Sequence, residues 1–138
     1  MATERNSTGM TAKPLRILLV EDSERDAALV MLYLRRGGYE PTLQRVDTRF
    51  EMKARLRSND WDIVISDFNL PGFNAYAALE ALQESGKKIP FIVLSGEINR
   101  AIIDGLTKAG VNEYLCKYEM RQIVPAIERA LQSRAAKP

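Results

Sequence analysis

Four short apolar runs in this sequence end in groups that can do chemistry. Leu18-Leu19-Val20 runs into Glu21-Asp22, Ile63-Val64-Ile65-Ser66 into Asp67, Phe91-Ile92-Val93-Leu94 into Ser95-Gly96, and Tyr114-Leu115-Cys116 into Lys117. Brought together, the carboxylates of Glu21, Asp22 and Asp67 would repel one another, and that repulsion raises pKa values unless a cation neutralises it. Hard oxygen ligands in an open cluster suit Mg²⁺, which takes near-octahedral geometry and keeps several waters. Lys117 would add a fixed positive charge and Ser95 a hydrogen-bond donor. Metal, ammonium and hydroxyl around one carboxylate are the parts that stabilise a transferring phosphoryl group, whose charge spreads over its equatorial oxygens. The nucleophile of such a set is the Asp67 carboxylate, and its product is an aspartyl phosphate.

These groups meet only if the four runs are neighbouring strands of one sheet. The sequence supplies that arrangement. Arg16 to Glu21 reads as a first strand, Pro41 to Val46 as a second, Asp62 to Ser66 as a third, Pro90 to Leu94 as a fourth and Glu113 to Cys116 as a fifth. Helical patterns fill the gaps. Ser23 is a candidate N-cap for a first helix that stops at Gly37-Gly38, and Thr48 with Glu51 has capping-box spacing for a second. Ala75 to Glu84 and Asn99 to Ala109 read as the third and fourth helices, each followed by glycine, and the last helix runs to about Arg134. Pro125 lies inside that last helix, so a short first turn with a restart, or a kink, is expected there. Strands that are apolar almost throughout argue for a parallel sheet covered on both faces. Five βα units then give an open doubly wound α/β sheet, which binds ligands outside the carboxyl ends of its strands. Residues 1–14 read as a flexible N-terminal tail, 15–134 as one domain and 135–138 as a C-terminal tail.

Composition narrows the function classes. The 138 residues carry 20 basic and 18 acidic side chains, a near balance that gives no nucleic-acid footprint. The single cysteine excludes an internal disulfide and a cysteine-built metal cage. The chain has no histidine, which excludes histidine-dependent triads, histidine-ligated zinc and a phosphohistidine of its own. No apolar stretch approaches the length of a membrane span, and a signal-peptide core is missing from the N-terminus, so a cytoplasmic location is expected.

Glu21-Asp22, Asp67, Ser95 and Lys117, in that order and spacing, resemble the receiver domain of bacterial two-component response regulators. The resemblance covers about residues 15 to 134. It implies a flavodoxin-like (βα)5 fold with a five-stranded parallel sheet in the order 2-1-3-4-5. It implies that Asp67 takes a phosphoryl group from a sensor histidine kinase or histidine phosphotransfer protein, in a signalling domain and not an enzyme. Asp22, Asp67 and the backbone carbonyl of Asn69 would hold Mg²⁺, with Mn²⁺ meeting the same donor set, and Glu21 would act through water. Ser95 and Lys117 would bind the phosphoryl oxygens, and Tyr114 would be the aromatic that turns inward when Ser95 moves. The output would go to a downstream protein target or a fused effector domain, with a phosphorylation-dependent dimer as one form of it.

The sequence departs from the family after Lys117, where Tyr118 replaces the usual proline and its cis bond. A cis bond to a non-proline residue costs about 2.5–4 kcal/mol, so a trans bond and a differently shaped loop are expected. Asn69, two after the acceptor, and Glu97, two after Ser95, flank the path to phosphorus and could position an attacking water. Arg25, one turn from the acids, could meet a phosphodonor protein. Two other function classes stay open. A phosphatase with an aspartyl nucleophile usually has a second acid two residues on, where this chain has Asn69. A degenerate receiver would act as a docking module without phosphorylation.

Overall fold

The structure is a computed structural model that describes residues 12–136. Its sheet is parallel and five-stranded. The strands are β1 (Lys13–Val20), β2 (Tyr39–Val46), β3 (Ile63–Asp67), β6 (Phe91–Ser95) and β7 (Glu113–Cys116), in the order β2-β1-β3-β6-β7. Between β3 and the third helix lies a two-stranded antiparallel ribbon, β4 (Asn69–Leu70) with β5 (Phe73–Asn74). With that ribbon set aside, the order is the expected 2-1-3-4-5. The helices are α1 (Glu24–Arg36), α2 (Arg49–Ser58), α3 (Ala75–Ser85), α4 (Arg100–Ala109) and α5 (Ile123–Ala136).

The central strands β1, β3 and β6 are buried on both faces toward their carboxyl ends because successive side chains alternate between two cores. Leu18, Val20, Val64, Phe91 and Val93 face a core completed by Met52 and Leu56 of α2, Ala78 and Leu82 of α3 and Leu106 of α4. Ile17, Leu19, Ile63, Ile65, Ile92 and Leu94 face the opposite one, completed by Val30 and Leu34 of α1 and Ile123 and Ile127 of α5. Each such side chain, fully buried, contributes about 1.5–3 kcal/mol. This double packing fixes the strand tips and so the groups that follow them.

Local signals act as read. The Ser23 hydroxyl accepts from the N–H of Asp26, and that of Thr48 from Glu51. The Glu51 carboxylate reaches back to the N–H of Asp47, one residue before the cap. In the ribbon, Gly72 takes φ 71° after Pro71, as a type II turn requires. Lys117–Gln122 forms a short 3₁₀ stretch broken at Glu119 (φ −124°, ψ 48°), and α5 restarts at Ile123. Pro125 therefore falls in the first turn of α5, where its missing N–H has no intrahelical partner to lose. No described peptide bond is cis, Lys117–Tyr118 included.

Several boundaries differ from expectation, β2 among them, which begins at Tyr39 and not at Pro41. β1 begins at Lys13, inside the segment read as a tail, because Lys13 and Pro14 pair with Tyr39 and Glu40 of the edge strand β2. Likewise α5 extends to Ala136, past the expected end near Arg134. The tails expected at residues 1–11 and 137–138 lie outside the described residues.

One contact between β2 and α5 carries a pH signature. The Tyr39 hydroxyl donates to Glu128 Oε2 at 3.1 Å. Burial first, then the hydrogen bond and charge of Glu128, hold the phenol above the ordinary tyrosine range. A folded-state pKa above the unfolded value of about 10 gives stability that is present below that pH and lost as pH rises through the folded pKa. Tyr39→Phe is expected to cost about 1 kcal/mol at pH 8 and to flatten the alkaline decline. Urea unfolding of both proteins at pH 8 and pH 10.5 checks this, and declines of equal slope would rule it out.

Candidate functional site

The parallel register brings the strand tips level. Val20 pairs with Ser66, Asp67 with Leu94, and Ser95 with Cys116. The residues just after β1, at the end of β3 and just after β7 therefore share one edge. There, ligand oxygens of Glu21, Asp22 and Asp67 all lie within 4.8 Å of one another. Asp22 is exposed, Asp67 partly buried, and Glu21 only 1% exposed. The Lys117 ammonium sits 3.0 Å from Glu21 Oε1, 3.3 Å from Asp67 Oδ2 and 2.7 Å from Asp26 Oδ2.

The electrostatics follow from crowding three carboxylates around one ammonium, with Asp22 beside them. Burial is the main effect at Glu21, and it raises the carboxyl above the usual range. Asp67 pushes the same way, while Lys117 and the Ser23 N–H oppose. At Lys117 burial disfavours the charge, but Asp26, Glu21 and Asp67 outweigh it and hold the amine well above the ordinary lysine range. The amine is thus a fixed cation. Glu21 Oε2 accepts the Ser23 N–H at 3.2 Å. Oε1 has the ammonium close by, but off the direction a hydrogen bond needs, and so is buried without a directed donor. An acceptor of this kind, beside two more carboxylates and partly open to solvent, fits a hard divalent cation with its waters.

The other predicted residues surround this centre without joining it. Ser95 ends β6 and is buried, but its hydroxyl donates to the Glu97 carbonyl at 2.7 Å and accepts the Glu97 N–H at 3.1 Å. Its bonds stay within its own loop. Asn69 opens β4 next to the acceptor and is exposed, as are Glu97 and Arg25. Tyr114, in the edge strand β7, is 40% exposed, so its ring points outward.

The family model for the response regulator receiver domain matches residues 17–128. The chain belongs to this family. Among curated proteins, the chemotaxis protein CheY-3 of Vibrio cholerae serotype O1 is 31% identical over 107 residues, covering 76% of this chain and 82% of that protein. A solved putative response regulator from Chloroflexus aurantiacus is 28% identical, with a TM-score of 0.75, covering 87% of this chain and 99% of that one. The receiver domain of a sensor histidine kinase from Pseudomonas aeruginosa PAO1 is 25% identical, with a TM-score of 0.70, covering 86% of this chain and 98% of that one. That structure carries a magnesium ion coordinated in its active-site cleft. The present chain is accordingly a receiver domain of two-component signalling with the flavodoxin-like fold. Receivers are signalling domains that work with histidine kinases and effectors. Among its described residues, no helix is long and apolar enough to cross a membrane.

Sequence reasoning missed one member of this receiver's centre. Asp26 makes the shortest contact to Lys117, from 91 residues away. An acid in the first turn of a helix ordinarily complements the helix dipole, and that reading hides a tertiary role. The one available signal was its position, a single turn past Glu21-Asp22. Glu21 is the most buried acid of the set.

Proposed function

We propose that this receiver accepts a phosphoryl group on Asp67, from the phosphohistidine of a sensor histidine kinase or histidine phosphotransfer protein. The observation that carries the reading is the Asp67 carboxylate itself. It stands at a strand tip among two other carboxylates, with the Lys117 ammonium 3.3 Å from Oδ2. An Asp67 oxygen attacks phosphorus, the bond from phosphorus to the donor nitrogen breaks, and its electron pair leaves with the imidazole, which takes up a proton. Lys117 meets the negative charge on the phosphoryl oxygens with a charge that is already in place. Ser95 supplies a hydroxyl to the same oxygens once it releases the Glu97 carbonyl. Exchange of that bond, with Tyr114 moving inward, would change the surface offered to a downstream partner.

Asp22, Asp67, the Asn69 carbonyl and, through water, Glu21 would hold Mg²⁺. When bound, the ion screens the mutual repulsion of the carboxylates and the charge of the incoming group. The related kinase receiver with magnesium in its cleft supports this assignment.

Intact mass after incubation with Mg²⁺ and a small acyl phosphate tests the reading. One phosphoryl adduct, dependent on Mg²⁺ and mapped to the peptide containing Asp67, is the expected result. A folded protein that takes up none would instead be a docking module. Asn69 and Glu97 set the adduct's lifetime in this reading, by positioning the attacking water. Asn69→Ala and Glu97→Ala are each expected to slow its decay by about tenfold. An unchanged half-life in both variants would remove that role.

A further inference from the structure

Lys117 has three N–H donors and three carboxylates competing for them. The competition is unequal. Asp26 Oδ2 lies 2.7 Å from the amine, in the range of a strong charge-assisted hydrogen bond, whereas Asp67 Oδ2 lies at 3.3 Å. Asp26 is held in place by the fold. It occupies the third position of α1, and its own N–H is fixed by the Ser23 hydroxyl at 3.1 Å. Its side chain is only a quarter exposed, so solvent weakens the contact little. Among the described residues, every ion pair of Asp26 runs to this amine.

We infer that Asp26 is a positioning residue that draws the Lys117 ammonium away from the acceptor and slows phosphoryl uptake. The amine's charge is shared with a carboxylate that never receives phosphate. The inference rests on the phosphoryl-acceptor reading of Asp67 and adds the control of its rate.

The test follows adduct formation by mass, with Mg²⁺ and a small acyl phosphate, in the whole chain. Asp26→Asn keeps the shape and removes the charge, and is expected to take up phosphoryl about five- to tenfold faster than wild type, less than the full weight of one charge-assisted hydrogen bond because the amide oxygen still accepts from the amine. Asp26→Glu restores the charge and is expected to stay within about twofold of wild type. In a Lys117→Met background, Asp26→Asn is expected to change the rate by less than about twofold, because the amine it competes for is gone. An Asp26→Asn rate equal to or below wild type overturns the inference and leaves the acceptor reading intact. So does an equal acceleration with and without Lys117. No adduct in any of the proteins overturns both.

Discussion

Lys117→Met is expected to destabilise the metal-free protein by about 2–4 kcal/mol at pH 7.5 and to slow phosphoryl uptake by about 10²–10³-fold. Among the described residues, every ion pair of Glu21, Asp26 and Asp67 runs to this one amine. Removing one partner of a buried pair leaves the other charge uncompensated, which generally costs about 3–5 kcal/mol. The lower figure fits here because Asp26 and Asp67 keep some access to water. Glu21 does not, being 1% exposed, and its escape is to take a proton. Burial already raises its carboxyl, and the loss of Lys117 removes the largest opposing influence. The folded-state pKa then stands further above the unfolded one. The penalty is small near the ordinary glutamate range and grows as pH rises through the folded pKa. Urea unfolding in EDTA should therefore show a wider gap between variant and wild type at pH 7.5 than at pH 5. A variant as stable as wild type at pH 7.5 would mean that Lys117 does not hold this cluster together. The kinetic loss has a separate origin, since among the described residues Lys117 is the cation paired with Asp67, the proposed acceptor.

The parts of this molecule that were legible in its sequence are those set by short-range rules. Apolar runs of β-formers made strands, Ser23 and Thr48 capped helices, and glycines closed α1, α3 and α4. The polar residue after each run marked a strand tip, and the sheet brought Glu21, Asp22, Asp67 and Lys117 together from three tips. What stayed hidden depends on partners distant in sequence. Lys13 and Pro14 become strand only because Tyr39 and Glu40 lie beside them. Asn69-Leu70 and Phe73-Asn74 gave a clear turn signal at Pro71-Gly72, but two-residue pairing has no periodicity to read. Glu21 is buried with the Ser23 N–H and the distant Lys117 ammonium against its carboxylate, and Asp26 meets the same amine from 91 residues away. The Ser95 hydroxyl was legible as a strand-end group, but its bond to the Glu97 carbonyl is a property of the folded loop.

Asp22 offers the opposite experiment from Lys117, because it adds negative charge where the cluster is already crowded. It is exposed, lies within 4.8 Å of Glu21 and Asp67 by its ligand oxygen, and has no ion pair among those of the described residues. In EDTA, Asp22→Ala is expected to be as stable as wild type or slightly more so, since it removes like-charge repulsion and exposes nothing. With Mg²⁺ the order reverses. An ion that binds only the folded state stabilises it by RT ln(1 + [L]/Kd), about 1.4 kcal/mol at ten times Kd. Loss of one of the proposed carboxylate ligands should weaken binding by at least about 100-fold and remove nearly all of that gain. Thermal unfolding of both proteins across a Mg²⁺ titration separates the two effects without any phosphoryl donor. A variant that gains as much stability from Mg²⁺ as wild type would take Asp22 out of the ligand set. A variant destabilised in EDTA would show that Asp22 serves the fold and not the ion. The expected crossing, equal or better without metal and worse with it, is the behaviour of a carboxylate kept in a repulsive position for the sake of a cation.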